Sequence, residues 1–125
     1  MTLPLAICTA CLLYEITAET GMPNLEENLR YAVTREERCL TESELLSSFP
    51  VLSHPSLAGC RLGDEQRENE VVTLTLACVN DTSGAARWRV GSSVLQGTLT
   101  VKLGGKNMTF FQRLTAKRLG QCRAG

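Results

Sequence analysis

At 125 residues, with 43% hydrophobic and 21% charged side chains, the chain has the make-up of one globular domain, which excludes wholesale disorder. Its length suffices to bury a core without staples, built mainly from Leu, Val and Ala because only three Phe, two Tyr and one Trp are present. The formal charge of zero hides a split: residues 1–81 carry 13 acids against five arginines (−8), and residues 82–125 carry eight Lys/Arg and no acid (+8).

In chain order, Leu5, Cys8, Leu12 and Ile16 recur at three- and four-residue spacing, so residues 3–20 read as a helix, apolar almost all round up to Tyr14. Such a helix is buried or covered by a partner, which makes Leu5, Leu12, Leu13 and Ile16 a candidate docking stripe. Gly21-Met22-Pro23 ends it, and Asn24 with Glu27 forms a capping-box pattern for a second helix. That helix has Leu25, Leu29, Ala32 and Val33 on its inner stripe and Arg35 to Arg38 at its wet end. Thr41 with Glu44 repeats the capping signature and opens a short third helix holding Leu45 and Leu46, closed by Phe49-Pro50. Residues 50–69 read as an irregular connector.

From Glu70 the period changes to two. Val72, Leu74, Leu76 and Cys78 share one face; Ala86, Trp88 and Val90 then alternate with Arg87 and Arg89; Leu99, Val101 and Leu103 alternate with Thr98, Thr100 and Lys102. Gly104-Gly105 turns the chain, and Asn107 or Thr109 caps a closing helix over 109–119, with Gly120 at its αL stop. The expected architecture is α+β: N-terminal helices in 3–48, a three-stranded antiparallel meander in 70–103 and a C-terminal helix. These form a single domain, with a helical half 1–49, a connector 50–69 and a meander-plus-helix half 70–125.

The six cysteines are Cys8, Cys11, Cys39, Cys60, Cys78 and Cys122. An even count with two glycosylation sequons, at Asn80 and Asn107, fits three disulfides in an oxidising compartment. Against this, the first cationic side chain is Arg30, so the apolar start lacks the basic region of a secretory leader, and the run Leu3–Tyr14 is too short to span a bilayer. The expectation is therefore an intracellular protein with reduced, buried cysteines, the alternative being a leader ending near Ala18. Cys78, Trp88 and Cys122 resemble the Cys…Trp…Cys order of immunoglobulin-like domains over the second half only, without the tyrosine two residues before the second cysteine. That resemblance implies a secreted receptor or ligand domain.

Candidate chemistry is sparse. Cys8-Thr9-Ala10-Cys11 lies within an apolar segment with no strand before it, so the helix dipole does little for either thiol, and small buried hydrophobes explain it better than redox work. Cys39, Cys60 and His54 lack zinc-knuckle spacing. His54, the single histidine, lies beside Ser53 without a nucleophile-elbow motif, and Gly104-Gly105-Lys106 lacks the frame of a phosphate loop. No catalytic residue, metal or cofactor is assigned, and the chain is read as non-enzymatic. The strongest candidate surface is basic: Arg87, Arg89, Lys102, Arg113, Lys117 and Arg118. It suits neutralisation by the chain's own acidic half docked against it, or by an acidic protein partner. It suits nucleic acid less well, because Trp88 should face inward and leave no aromatic among the basic residues for base stacking. The sequence thus points to a protein–protein interaction module or complex subunit, with nucleic-acid binding and a secreted disulfide-bonded domain as alternatives.

Overall fold

The computed structural model describes residues 10–21, 31–79, 81–104 and 108–122. They form one seven-stranded, wholly antiparallel sheet and one short helix, not the expected α+β arrangement. The strands are β1 (Leu12–Gly21), β2 (Tyr31–Leu40), β3 (Cys60–Glu68), β4 (Val71–Cys78), β5 (Ser83–Val90), β6 (Val94–Leu103) and β7 (Met108–Gln121); the helix is α1 (Glu42–Leu46). The order across the sheet is β2-β1-β7-β6-β5-β4-β3.

Three of the four expected helices are corrected. Within the first, residues 12–21 are β1: Tyr14, Ile16 and Ala18 are buried on one face, while Leu13, Glu15, Thr17 and Glu19 alternate on the other. The described residues of the apolar docking stripe thus lie on a strand and not along one helical face. Ile16 is core, Leu12 and Leu13 are half-buried on opposite faces of the strand, and Leu5 lies outside the described residues. Within the second, residues 31–40 are β2, paired to β1 along its whole length; the proposed cap at Asn24 lies outside the described residues. The C-terminal helix is β7, whose Phe110, Gln112, Leu114 and Ala116 face inward. Gly120 does adopt a positive φ of 129°, but at a β-bulge: Leu13 opposes Gly120 and Tyr14 opposes Arg118, leaving Leu119 as the extra residue.

The third expected helix is present. Thr41 Oγ1 accepts from the Glu44 amide and Glu44 Oε1 accepts from the Thr41 amide, each at 3.0 Å, completing the capping box. The expected three-stranded meander is corrected as well: its strands are β4, β5 and β6 with the expected inward residues, but they lie inside a run of consecutive neighbours from β3 to β7 in the seven-stranded sheet. Residues 60–68 of the connector form β3.

Because β2 and β3 are opposite edges, the chain between them must cross one face of the sheet. It does so through α1 and two 3-10 turns, Pro50–Ser53 and Pro55–Leu57. This crossing buries Leu45, Leu46, Phe49, Val51 and Leu57 against Tyr14, Val72, Trp88, Leu95, Leu99 and Leu114, which makes it the second layer that a one-sided apolar sheet requires. Two side chains fasten it. The Trp88 indole N–H donates to the Leu46 carbonyl at 2.9 Å, and Gln112 accepts from the Val51 amide at 3.0 Å while donating to Thr20 Oγ1 at 2.9 Å. Both anchors are buried, so each satisfies polar groups that would otherwise be stranded in the core.

The described cysteines are oxidised, contrary to expectation. Cys60–Cys78 joins directly paired residues of β3 and β4, with Cα atoms 4.0 Å apart. Cys39–Cys122 ties edge strand β2 to the residue just past β7, with Cα atoms 5.8 Å apart and a sequence separation of 83. Cys11 is also disulfide-bonded, so none of the described cysteines keeps a free thiol. With Cys78 and Cys122 in different bridges and one sheet rather than two, the immunoglobulin-like resemblance fails. A leader ending near Ala18 would remove most of β1, a strand hydrogen-bonded on both sides. Among the described residues no helix is long and apolar enough to cross a membrane.

Candidate functional site

One face of the sheet is covered by the crossing chain, and the other carries the polar side chains. Pairing registers place these in rows. One row runs Gln66, Thr73, Arg87, Thr98, Arg113, Glu19; the next runs Glu68, Val71, Arg89, Gln96, Thr115, Thr17. Arg87 and Arg89 sit two positions apart on β5, which sets their Cα atoms roughly 7 Å apart, and Arg113 lies two strands away, roughly 9.5 Å across the sheet. These three arginines converge on a groove of about 600 Å³ floored by Val71, Gln96 and Thr98, in which no lining side chain is acidic.

Neither Arg87 nor Arg89 has a carboxylate at ion-pair distance among the described residues. Arg113 reaches Glu19 only at 3.8 Å, between two exposed side chains, and its guanidinium stands 5.9 Å over the Phe111 ring. An exposed pair of that length holds the arginine loosely, worth roughly 0–1 kcal/mol. On the far side of Arg87 and Arg89 a second hollow of about 670 Å³ has mixed sign, with Arg67, Glu68 and Glu70 on its walls. The cationic strip is thus bounded by acids at the β3–β4 turn and by Glu15 and Glu19 on β1.

The six expected basic residues divide. Arg87, Arg89 and Arg113 are brought together. Lys102 shares their face but opposes Ser83 and Thr109, four residues along β6 from the Arg87 row; Lys117 is as far along β7, opposite Val94 and Glu15. Arg118 belongs to the other face: it has the parity of Leu114 and Ala116, is partly buried, and binds Glu42 at 3.3 Å and the Ser92 carbonyl at 2.9 Å. Glu42 is also paired with Arg67, whose pKa is raised above its usual value chiefly by that hydrogen bond, so this carboxylate links the crossing chain to β3 and β7. Gln96 and Thr115 escape sequence reasoning. The alternation that would have revealed Gln96 is interrupted by Gly97, and that around Thr115 is masked by Gln112 at an inward position.

The other candidates do not assemble into a site. His54 is exposed between the two 3-10 turns, and the neighbouring Ser53 hydroxyl donates to the Pro50 carbonyl at 2.8 Å. Among the described residues no group of three His, Cys, Asp or Glu side chains could hold a metal. Cys8 and the sequon asparagines Asn80 and Asn107 lie outside the described residues. Comparison with known protein families, characterised proteins and solved structures finds no match to this chain.

Proposed function

We propose that the protein is a non-enzymatic recognition module of an oxidising environment, binding an acidic partner through the outer face of its sheet. The observation that carries this reading is the convergence of Arg87, Arg89 and Arg113 on one groove without an acid in its lining. Ladders on both sides fix the backbone of these central strands and so the spacing of the three arginines, while each exposed side chain still gives up about 0.5–1.5 kcal/mol of rotamer freedom when a ligand meets it. Arginine favours planar, bidentate oxyanions such as carboxylate and sulfate. The disulfides support the compartment, because thiols kept in reducing surroundings rarely pair. The assembly-subunit reading loses the apolar helix on which it rested, and among the described residues nucleic acid finds no exposed aromatic platform for base stacking.

The zero formal charge and a pI near 6.6 make a clean test, since overall charge cannot hold this protein on an anionic matrix above neutral pH. We expect retention on a sulfate- or carboxylate-bearing resin at pH 8, elution by salt, and loss of retention in the R87E/R89E variant. Protein from its native source, alkylated without reduction, should show no free thiol at Cys39, Cys60, Cys78 or Cys122. Passage of the wild type straight through the resin, or free thiols at these four positions, would remove the reading.

A further inference from the structure

Resting on that reading, we infer that the groove over β5, β6 and β7 takes a short sulfated saccharide segment, not a folded protein surface. The choice follows from what the outer face lacks. Stable protein interfaces are anchored by a few large apolar or aromatic side chains seated in pockets. Among the described residues the exposed large hydrophobics are Val33, Val79 and Leu119. None of them lines the groove, where Val71 is the outward apolar side chain between three arginines, Gln96 and Thr98; Trp88 borders it too but is fully buried, its indole N–H bonded to the Leu46 carbonyl on the covered face. The site therefore offers charge and hydrogen bonds with almost no apolar anchor. A sulfated sugar chain answers to that chemistry: it carries fixed oxyanions that arginine binds in forked pairs, and hydroxyls that Thr98 and Gln96 can meet.

The acids around the groove set the length and direction of the segment. Glu68 and Glu70 stand beyond Arg89 on one side and Glu19 beyond Arg113 on the other. A polyanion wrapping across the whole sheet would meet both acidic borders, whereas a short segment over three strands meets only cations. From β5 to β7 that strip is roughly 10 Å wide. With the cysteines oxidised, the anionic polymers at hand are those outside the reducing compartments, which suits a sulfated glycan.

The test is titration calorimetry of the full chain with a size-defined chondroitin sulfate hexasaccharide, set against a glutamate hexapeptide of comparable charge. We expect the hexasaccharide to bind, with log affinity falling against log salt at a slope of about 2 to 3, as displaced counterions require. Arg87→Ala, Arg89→Ala and Arg113→Ala should each weaken binding about fivefold to tenfold and flatten the slope by about one. Arg35→Ala and Arg61→Ala, exposed cations outside the groove, should leave it unchanged. Urea midpoints equal to that of the wild type establish that each variant is folded. Equal losses from all five substitutions would overturn the groove as a site. Binding of the hexapeptide without the hexasaccharide would overturn the saccharide and leave an acidic protein partner standing; binding of neither would overturn the recognition reading as well.

Discussion

Gly97 has no side chain because Trp88 occupies the space one would need. A Cβ there would stand 2.4 Å from two carbons of the indole, which cannot move away freely: its N–H is bonded to the Leu46 carbonyl and its ring meets Phe49 at 5.5 Å. Gly97→Ala should therefore destabilise the fold by about 1–3 kcal/mol, read as a lower urea midpoint with the slope unchanged. A shift below about 0.5 kcal/mol would show that the ring can slide. The same pair explains what the sequence conceals. Alternation is legible where each inward position carries an apolar side chain, as in Val72, Leu74 and Leu76, and it fades where the core demands a glycine at 97 or a glutamine at 112. Gln112 reads as polar and outward, yet it is buried because it alone offers both an acceptor for the Val51 amide and a donor to Thr20.

At the scale of elements, α1 was legible because its determinants are local: the Thr41 and Glu44 cap acts within four residues. The capping hydrogen bond from the Thr41 backbone amide, then that with its hydroxyl, and a lesser pull from Arg38 hold the Glu44 carboxyl below its usual value. A depressed folded-state pKa contributes stability that is present above the unfolded value of 4.5 and is lost as pH falls through the folded value. The urea-midpoint difference between wild type and Glu44→Gln should accordingly be largest above about pH 5 and shrink in acid. A difference constant with pH would show that the carboxylate is not part of the cap. The strands β1, β2 and β7 were misread for physical reasons. Tyr14, Ile16 and Ala18 do alternate, but Leu12 and Ile16 also fit a four-residue step, and ten residues of mixed pattern satisfy both periods. In β2 the described side chains before Leu40 are exposed on both faces, so Arg35-Glu36-Glu37-Arg38 carries no period at all and resembles a wet helix. Charge suits this position, since it discourages another chain from adding to a free edge. The opposite edge is protected by a register break between Gly63 and Gln66, with Asp64 at a φ of 54°.

Over the whole molecule, the two described bridges close loops of very different length. In the chain-entropy picture, the 83-residue separation of Cys39 and Cys122 is worth about 4.5 kcal/mol and the 18-residue separation of Cys60 and Cys78 about 3 kcal/mol. Replacing Cys39 and Cys122 by serine should thus lower unfolding free energy by roughly 1 kcal/mol more than replacing Cys60 and Cys78, measured by urea unfolding of the two variants, each lacking one of these bridges. The reverse order would mean that the short bridge acts on the native state of the β3 edge and not on the unfolded chain. At this scale the charge split also changes meaning. The acidic and basic halves do not face each other as two bodies; they are interleaved, with acidic β1 paired to basic β7, so that Glu19 meets Arg113 and Glu15 opposes Lys117. Arg87 and Arg89 on β5 are among the cations that this interleaving leaves without an ion pair among the described residues.

The sequence by itself determined the parts whose causes are local: the capped helix at 42–46, the meander of β4, β5 and β6 with its inward residues, and Arg87 and Arg89 on a shared face. Tertiary structure decided the rest. The first and last described strands become neighbours only because a sheet recruits partners across the length of the chain, and pairing at such separation leaves no mark within a short window. That pairing sets Glu19 against Arg113 and brings β2, on the far side of β1, close enough to the end of β7 for the Cys39–Cys122 bridge, whose partners the cysteine spacing left open.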